Sequence, residues 1–217
     1  MRVKWLGHAS MLIKSEKGLR IITDPYIPGF FGVNYAPIDE EADIVTVSHE
    51  HDDHNNVSAV KGSPDVVRGH GVTNVKGVEF YGTGCYHDDS SGSQRGANTI
   101  FCFTLDDIRV CHLGDLGHDL SPKDQARIGT IDILLIPVGG NFTIDAEVAA
   151  RTCLKLQPRV VIPMHYHNER CPDFPVAGVE DFLALIDNTR KENTSEVMFD
   201  KVSLPGSMEV VVLQPAL

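Results

Sequence analysis

A two-sheet α/β sandwich is the fold class the sequence predicts, and three observations predict it. Short β-branched and apolar runs, separated by glycine and polar turns, fill the first half of the 217-residue chain. Near-continuous apolar strands then alternate with segments of helical spacing, the pattern of sheets covered on their outer faces by helices. Four strand-like runs end in histidine or aspartate: Asp24 after "LRIIT", His49 after "DIVTVS", Asp115 in "CHLGD" and His165 after "IPM". Strands that each deliver a ligand-type residue at one edge build a site on a rigid scaffold.

The elements follow in order. "VKWLG", "SMLIKSE" and "LRIITDP" read as strands, and Tyr26 to Glu41, rich in proline, glycine and aromatics, as a long loop with a functional role. "DIVTVSH" is a buried strand running straight into the stretch "SHEHDDHN". "NTIFCFTLDDIRVCHLGD" alternates and turns at Asp106-Asp107, which predicts a hairpin. "IDILLIPVGG" and "RVVIPMHY" are buried strands. Between them "DAEVAARTCLKLQP" has helical spacing, with Asp145 as its cap and Pro158 past its end. "VEDFLALIDNT" predicts a last helix.

Composition bounds the function. The length suits one domain spanning residues 1–217, and 42% apolar residues suffice for a sizeable core. A net charge of -11 argues against nucleic acid as a partner, since phosphate binding needs clustered Lys and Arg. No run approaches the ~18 apolar residues of a membrane span, and the N-terminus lacks the apolar core of a signal peptide. Five scattered cysteines without a CxxC read as reduced core fillers, so the cytoplasm is the expected compartment.

Inside the cluster, His49, His51, Asp53 and His54 fit H-x-H-x-D-H. His49, His51 and Asp53 can share one side of an extended segment, with His54 pointing elsewhere. That arrangement suits two neighbouring metals better than one, and neutral imidazoles with carboxylates are ligands for Zn²⁺, Mn²⁺ or Fe. The bland alternative is a polar loop of structural hydrogen bonds, which Asp115 and His165 downstream weaken. Asp24 either braces a ligand histidine or simply starts a turn before Pro25. His8 either lines the pocket or is a satisfied core histidine. Arg95 either receives a phosphate or carboxylate or makes an ordinary salt bridge. His167 either contacts substrate or lies on a surface loop.

These motifs resemble the metallo-β-lactamase superfamily of hydrolases along nearly the whole chain. The resemblance is to the branch containing L-ascorbate-6-phosphate lactonase and N-acylphosphatidylethanolamine phospholipase D. It is carried by "WLGHAS" (Trp5 to Ser10), Asp24-Pro25, H-x-H-x-D-H, "HLGD" (His112 to Asp115) and "PMH" (Pro163 to His165). It implies a four-layer αββα sandwich of the metallo-β-lactamase type. It also implies two divalent ions, Zn or Mn in the first place and Fe as an alternative, with His49, His51 and His87 on one. Asp53, His54 and His165 fall to the other, with Asp115 bridging. His87 lacks the "GHTPG" context of glyoxalase II, and His112 competes with it or supports the site from behind. Two departures narrow the options. Zinc β-lactamases carry cysteine where Asp115 stands, and flavodiiron proteins carry glutamate where His51 stands.

The resemblance implies a hydrolase in which a metal-bridging hydroxide attacks a small anionic ester, lactone or phosphodiester, with Asp53, Asp115 and His165 in the catalytic machinery. A non-catalytic metal-binding or sensor protein on the same scaffold is the alternative, and a nuclease of the superfamily is a weaker one. The expected partner is a small-molecule substrate, with neither nucleic acid nor membrane. A homo-oligomer is compatible with the sequence.

Overall fold

The computed structural model describes residues 1–216. The strands are β1 (Arg2–Gly7), β2 (Ser10–Lys14), β3 (Arg20–Thr23), β4 (Ile44–Val47), β5 (Asp65–Arg68), β6 (Gly71–Val75), β7 (Val78–Tyr86), β8 (Ala97–Leu105) and β9 (Ile108–His112). Then come α1 (Pro122–Ile128), β10 (Ile133–Pro137), α2 (Ala146–Leu156), β11 (Val160–Met164), α3 (Val179–Leu183), β12 (Thr189–Lys191), β13 (Glu196–Met198) and β14 (Glu209–Val212). One sheet runs β13-β1-β2-β3-β4-β5 and the other β12-β14-β11-β10-β9-β8-β7-β6. Both are mixed. In the second, β9, β10, β11 and β14 are parallel neighbours, and β6 to β9 form an antiparallel meander.

The two-residue period of the strands sorts side chains between two cores. Ile21 and Ile44 enter the large cluster shared with the second sheet, while Ile22, Val45 and Val47 face outward into a smaller one. On the second sheet, helices close the outside, with Ile128, Ala149, Cys153, Leu156 and Phe182 in the large cluster. The outer layer of the first sheet is mostly loop. Tyr26, Val33, Tyr35, Ile38, Cys171 and Phe174 pack there, with one-turn 3₁₀ segments at Phe30–Gly32 and Val57–Ala59. Pro25, Pro28, Gly29, Gly32 and Pro37 deny that stretch a regular helix. Buried packing and the Tyr26 hydroxyl, which donates to the carbonyls of Leu6 (3.3 Å) and Ala36 (2.9 Å), hold it instead.

Local chemistry explains most boundaries. Leu105 pairs with Ile108 across a two-residue turn in which Asp106 and Asp107 both have positive φ (50° and 60°), the handedness that matches strand twist. Asp145 accepts from the Val148 amide at 2.9 Å to start α2, which ends at left-handed Gln157 before Pro158. Helix α1 has weak apolar periodicity but carries a capping box between Ser121 and Asp124, with proline at its first turn. The last expected helix is cut to five residues. Of its apolar side chains only Phe182 is fully buried, Leu185 is exposed, and Asn188 donates to the Met208 carbonyl (3.0 Å) as the chain turns into β12. Among the described residues no helix is long and apolar enough to cross a membrane.

Candidate metal centre

Six strands, three from each sheet, deliver the cluster at their carboxyl ends. His8 follows β1, Asp24 follows β3 and His49 lies just past β4; His87 follows β7, Asp115 lies just past β9 and His165 follows β11. The pairing pattern makes all three donors in each sheet point the same way, so the ligand-type residues converge on one rim, as ligands do in open α/β sheets. Cross-sheet hydrogen bonds fix the convergence: the His165 amide donates to the His8 carbonyl (3.2 Å) and the Thr99 amide to the Ser48 carbonyl (2.9 Å). Non-glycine residues with positive φ gather here, at His8 (51°), Asp24 (38°) and His165 (52°). Such backbone is costly and persists where surrounding structure over-determines it.

Ligand atoms gather in two groups at the rim, and Asp24, His49 and His54 make a third, fully buried group that overlaps both. His49, His51 and His87 bring one nitrogen each within 4.8 Å of one another, and beside them one nitrogen each of His8, His54 and His165 and a carboxylate oxygen of Asp53 lie equally close. Asp115 joins the two, with Oδ2 at 3.2 Å from His54 Nε2, 3.2 Å from His87 Nε2 and 3.3 Å from His165 Nε2. The division within H-x-H-x-D-H does not come from an extended strand. The chain turns after His49, with the His54 amide donating to the His51 carbonyl (2.9 Å), and this carries Asp53 to the second group, away from His49 and His51.

The donor chemistry fits metal ions. Asp24 is fully buried; its Oδ1 accepts from the Ser48 amide (2.8 Å), and its Oδ2 accepts from Ser48 Oγ (2.5 Å) and contacts His54 Nδ1 (3.0 Å). Ser48 Oγ in turn lies 2.9 Å from His49 Nδ1. Each imidazole is held by one nitrogen, and the other, Nε2 of His49 and Nε2 of His54, is buried without a hydrogen bond. His87 Nδ1, His165 Nδ1 and Asp115 Oδ1 are likewise buried and unsatisfied. Buried polar atoms are nearly always paired, so Nε2 of His49, Nε2 of His54 and Oδ1 of Asp115 point to a missing partner that accepts lone pairs; in His87 and His165 it is Nε2 that faces Asp115.

Electrostatics agrees. Burial holds the His8 pKa down at about 4 and His49 at about 3, and lowers His51, so these imidazoles keep free lone pairs at neutral pH. Burial alone would raise Asp53 and Asp115, but neighbouring histidines (His54 and His8 for the first, His165 and His54 for the second) outweigh it and hold both carboxylates low. Asp24 is lowered in the same way against its burial, by His112 and His54. Burial alone would lower His54; Asp115 and Asp53 overcome it and raise the residue well above the ordinary value.

The other sequence candidates divide. His87 lies in the cluster, whereas His112 does not: its Nε2 contacts the Ala9 carbonyl (2.9 Å) and its Nδ1 accepts from the Gly114 amide (3.1 Å), so both nitrogens are spent on backbone. His112 thereby supports the segments carrying His8 and Asp115. His8 is no isolated core histidine; its Nε2 lies 3.1 Å from Asp53 Oδ2 and its ring 4.2 Å from that of His165. His167 takes the surface-loop alternative. It points away from the cluster, against the Pro172 carbonyl (3.3 Å) in a separate surface cavity, because the chain beyond His165 bridges to Gly178.

A cavity of about 380 Å³ opens over the cluster. Arg95 lines it without an ion pair among the described residues, held by a loop that Asp88 organises. Both Asp88 oxygens accept backbone amides, from Ser90 and Gly92 (2.8 Å each), Gln94 (3.0 Å) and Arg95 (2.8 Å). Those bonds hold the Asp88 pKa down at about 2 against a desolvation that would raise it. Ser48, Asp88 and the phenylalanines of the cavity are functional candidates that motif reading misses. Only the position of Ser48 directly before the H-x-H-x-D-H run, and the unusual "GFFG" at Gly29–Gly32, signal them.

Comparison with known proteins gives the family. The beta-lactamase superfamily domain matches residues 2–165. The UPF0173 metal-dependent hydrolase of Carboxydothermus hydrogenoformans is 31% identical over 193 residues, covering 77% of this chain and 85% of its own. That of Thermococcus kodakarensis is 30% identical over the same span and coverage. Among solved structures, a proposed Zn-dependent hydrolase of the metallo-β-lactamase superfamily from Thermotoga maritima superposes with a TM-score of 0.81 at 36% identity, covering 98% of this chain and 97% of that one. With this fold and this histidine–aspartate cluster, the chain belongs to the metallo-β-lactamase superfamily, among the UPF0173 metal-dependent hydrolases.

Proposed function

We propose that the protein is a dinuclear metal-dependent hydrolase of a small anionic ester, lactone or phosphodiester, of the lactonase or phosphodiesterase type its sequence resembles. The observation that carries this reading is Asp115, whose one oxygen touches histidines of both donor groups and so sits where a bridging carboxylate belongs. His49, His51 and His87 would hold one ion and Asp53, His54 and His165 the other, with Zn or Mn the best match to the donors and Fe the alternative. His8 stands in the second group as a further donor or as the brace of Asp53.

Bound divalent ions supply an activated water near neutral pH and polarise a carbonyl or phosphoryl oxygen. The chain's own residues do the rest. Asp24 and Ser48 fix the imidazoles of His54 and His49 so that Nε2 of each faces the cluster. Asp53, half-buried at the cavity floor and ionised, is placed to take a proton from the attacking nucleophile; His8 holds its carboxylate in line. The cavity would receive the scissile group over Asp115 and His165, which line it. The cytoplasm is the proposed compartment.

The deciding experiment is elemental analysis after dialysis against metal-free buffer, followed by a hydrolysis screen with Zn²⁺ or Mn²⁺ returned. About two equivalents per chain with restored turnover is expected. Hydrolysis that persists in metal-free protein would overturn the reading, and metal without turnover on any ester, lactone or phosphodiester would favour the sensor alternative.

A further inference from the structure

The cavity's wall differs in character from its floor. Phe31 meets Phe142 edge-on with ring centroids 5.8 Å apart, Phe142 stacks on Phe174 at 5.7 Å, and Phe174 reaches His165 at 5.3 Å. These rings form a continuous aromatic ladder from solvent to the donor cluster. Its outer rung is held at some expense: Phe31 is 64% exposed and has positive φ (46°) between Gly29 and Gly32, which are left-handed as well. Gly32 lies so close to the Phe174 backbone that an added Cβ would meet its nitrogen at 3.3 Å, so the turn rests directly on the next rung but one. A large apolar side chain left in water, in strained backbone and at a cavity mouth, marks a ligand-binding surface.

The rim carries charge beside the rings. The Arg95 guanidinium lies over Phe142, 5.5 Å from its centroid, and pairs with no carboxylate among the described residues. Glu50, also on the rim, is engaged by Arg68. Asp52 is the one opposing carboxylate there, exposed and outside any ion pair among the described residues.

We infer that this cavity selects an amphipathic substrate, an aryl or similarly flat apolar group bearing one anionic substituent, with the ring against Phe31 and Phe142 and the anion on Arg95. The inference deepens the hydrolase reading above and rests on it for the word substrate. It excludes small hydrophilic anions such as a bare sugar phosphate as preferred ligands, because they would leave the aromatic ladder wet.

Naphthalene-2-sulfonate is a suitable probe, since it has the proposed pattern and no hydrolysable bond. Its binding to the metal-loaded protein is measured by calorimetry beside its neutral methyl sulfone analogue and methanesulfonate. The sulfonate should bind about tenfold more tightly than the sulfone, as one charge-assisted pair allows, and Arg95→Gln should erase that preference while Asp52→Asn strengthens it. Phe31→Ala should weaken both naphthyl probes about fivefold, within the range of one aromatic contact. Methanesulfonate binding as well as the naphthyl anion would overturn the inference, as would a sulfonate preference that survives Arg95→Gln. A hydrolysis panel on the same preparations separates the two readings. Turnover without preference for aryl anions sinks this inference alone, whereas selective probe binding with no turnover sinks the hydrolase and leaves the ligand class standing.

Discussion

Replacing Asp24 by asparagine is the sharpest test of how the donor cluster is held. The carboxylate is fully buried and receives three contacts, from the Ser48 amide, Ser48 Oγ and His54 Nδ1. An amide keeps one acceptor oxygen, which can stay on the Ser48 amide, and turns an NH₂ toward His54. The imidazole then accepts at Nδ1 and must carry its proton on Nε2, the nitrogen that faces the cluster. Losing such a partner costs about 10–100-fold in metal affinity. All three contacts lose their charged acceptor, at about 1 kcal/mol each, so the metal-free protein should lose about 3 kcal/mol. For a chain of this size that is about 6–12 °C in Tm. Chelator-competition titration reads the affinity and thermal unfolding of metal-free protein reads the stability. Ser48→Ala is the control, since it keeps the Asp24–His54 contact and should leave the His54 group's affinity near wild type. An Asp24→Asn protein with unchanged affinity and Tm would show that Asp24 only starts the turn before Pro25, and the bracing argument would fail.

Asp53→Ala should remove metal from the His8–His54–His165 group and reduce kcat by at least about 100-fold, the scale of a lost general base; Asp52→Ala should leave metal content unchanged, and elemental analysis with kinetics distinguishes them. Metal uptake should expel a proton, because His54 has its pKa raised by Asp115 and Asp53 and must become neutral to ligate, whereas His8 and His49 are already neutral. Affinity therefore falls as pH falls below the raised His54 value, and calorimetry in buffers of different ionisation enthalpy should find about one proton released per His54-group ion; zero release would refute the assignment. Gly117→Ala should displace His87, since an added Cβ would lie 2.3 Å from the His87 carbonyl carbon. A cost of about 1–3 kcal/mol, together with weakened metal binding at the three-histidine group, is expected by thermal unfolding and titration.

The legible parts of this molecule were those where one physical signal dominated. Strands β4, β10 and β11 are fully buried, so their apolar runs stand out and their terminal His49 and His165 fall at the rim. Asp106-Asp107 tolerates left-handed backbone, and Asp145 has a side-chain acceptor for the first turn of α2. Edge strands carry no such signal. Residues Thr189–Lys191 and Glu196–Met198 are short and largely exposed, with pairing partners set by the tertiary fold. The donor residues were legible as a set because histidine and aspartate after buried strands have few structural uses. Their partition was not: the turn at His51 to His54 separates Asp53 from His49, and single-strand alternation cannot show it. His8 was ambiguous for a related reason, since its place beside Asp53 and His165 depends on contacts across the sheets, the His165–His8 backbone bond and His112 against the Ala9 carbonyl.

The convergence of six strand ends from both sheets also sets an order of events during synthesis. His8 and Asp24 emerge early, the H-x-H-x-D-H segment next, and His165 only after the second sheet's central strands exist. An unfinished chain can therefore offer at most part of each donor group, scattered over loops with no partner sheet to orient them. On the proposed donor sets, capture of an ion would strengthen as the closing strand docks, and the bound ion would report completed assembly.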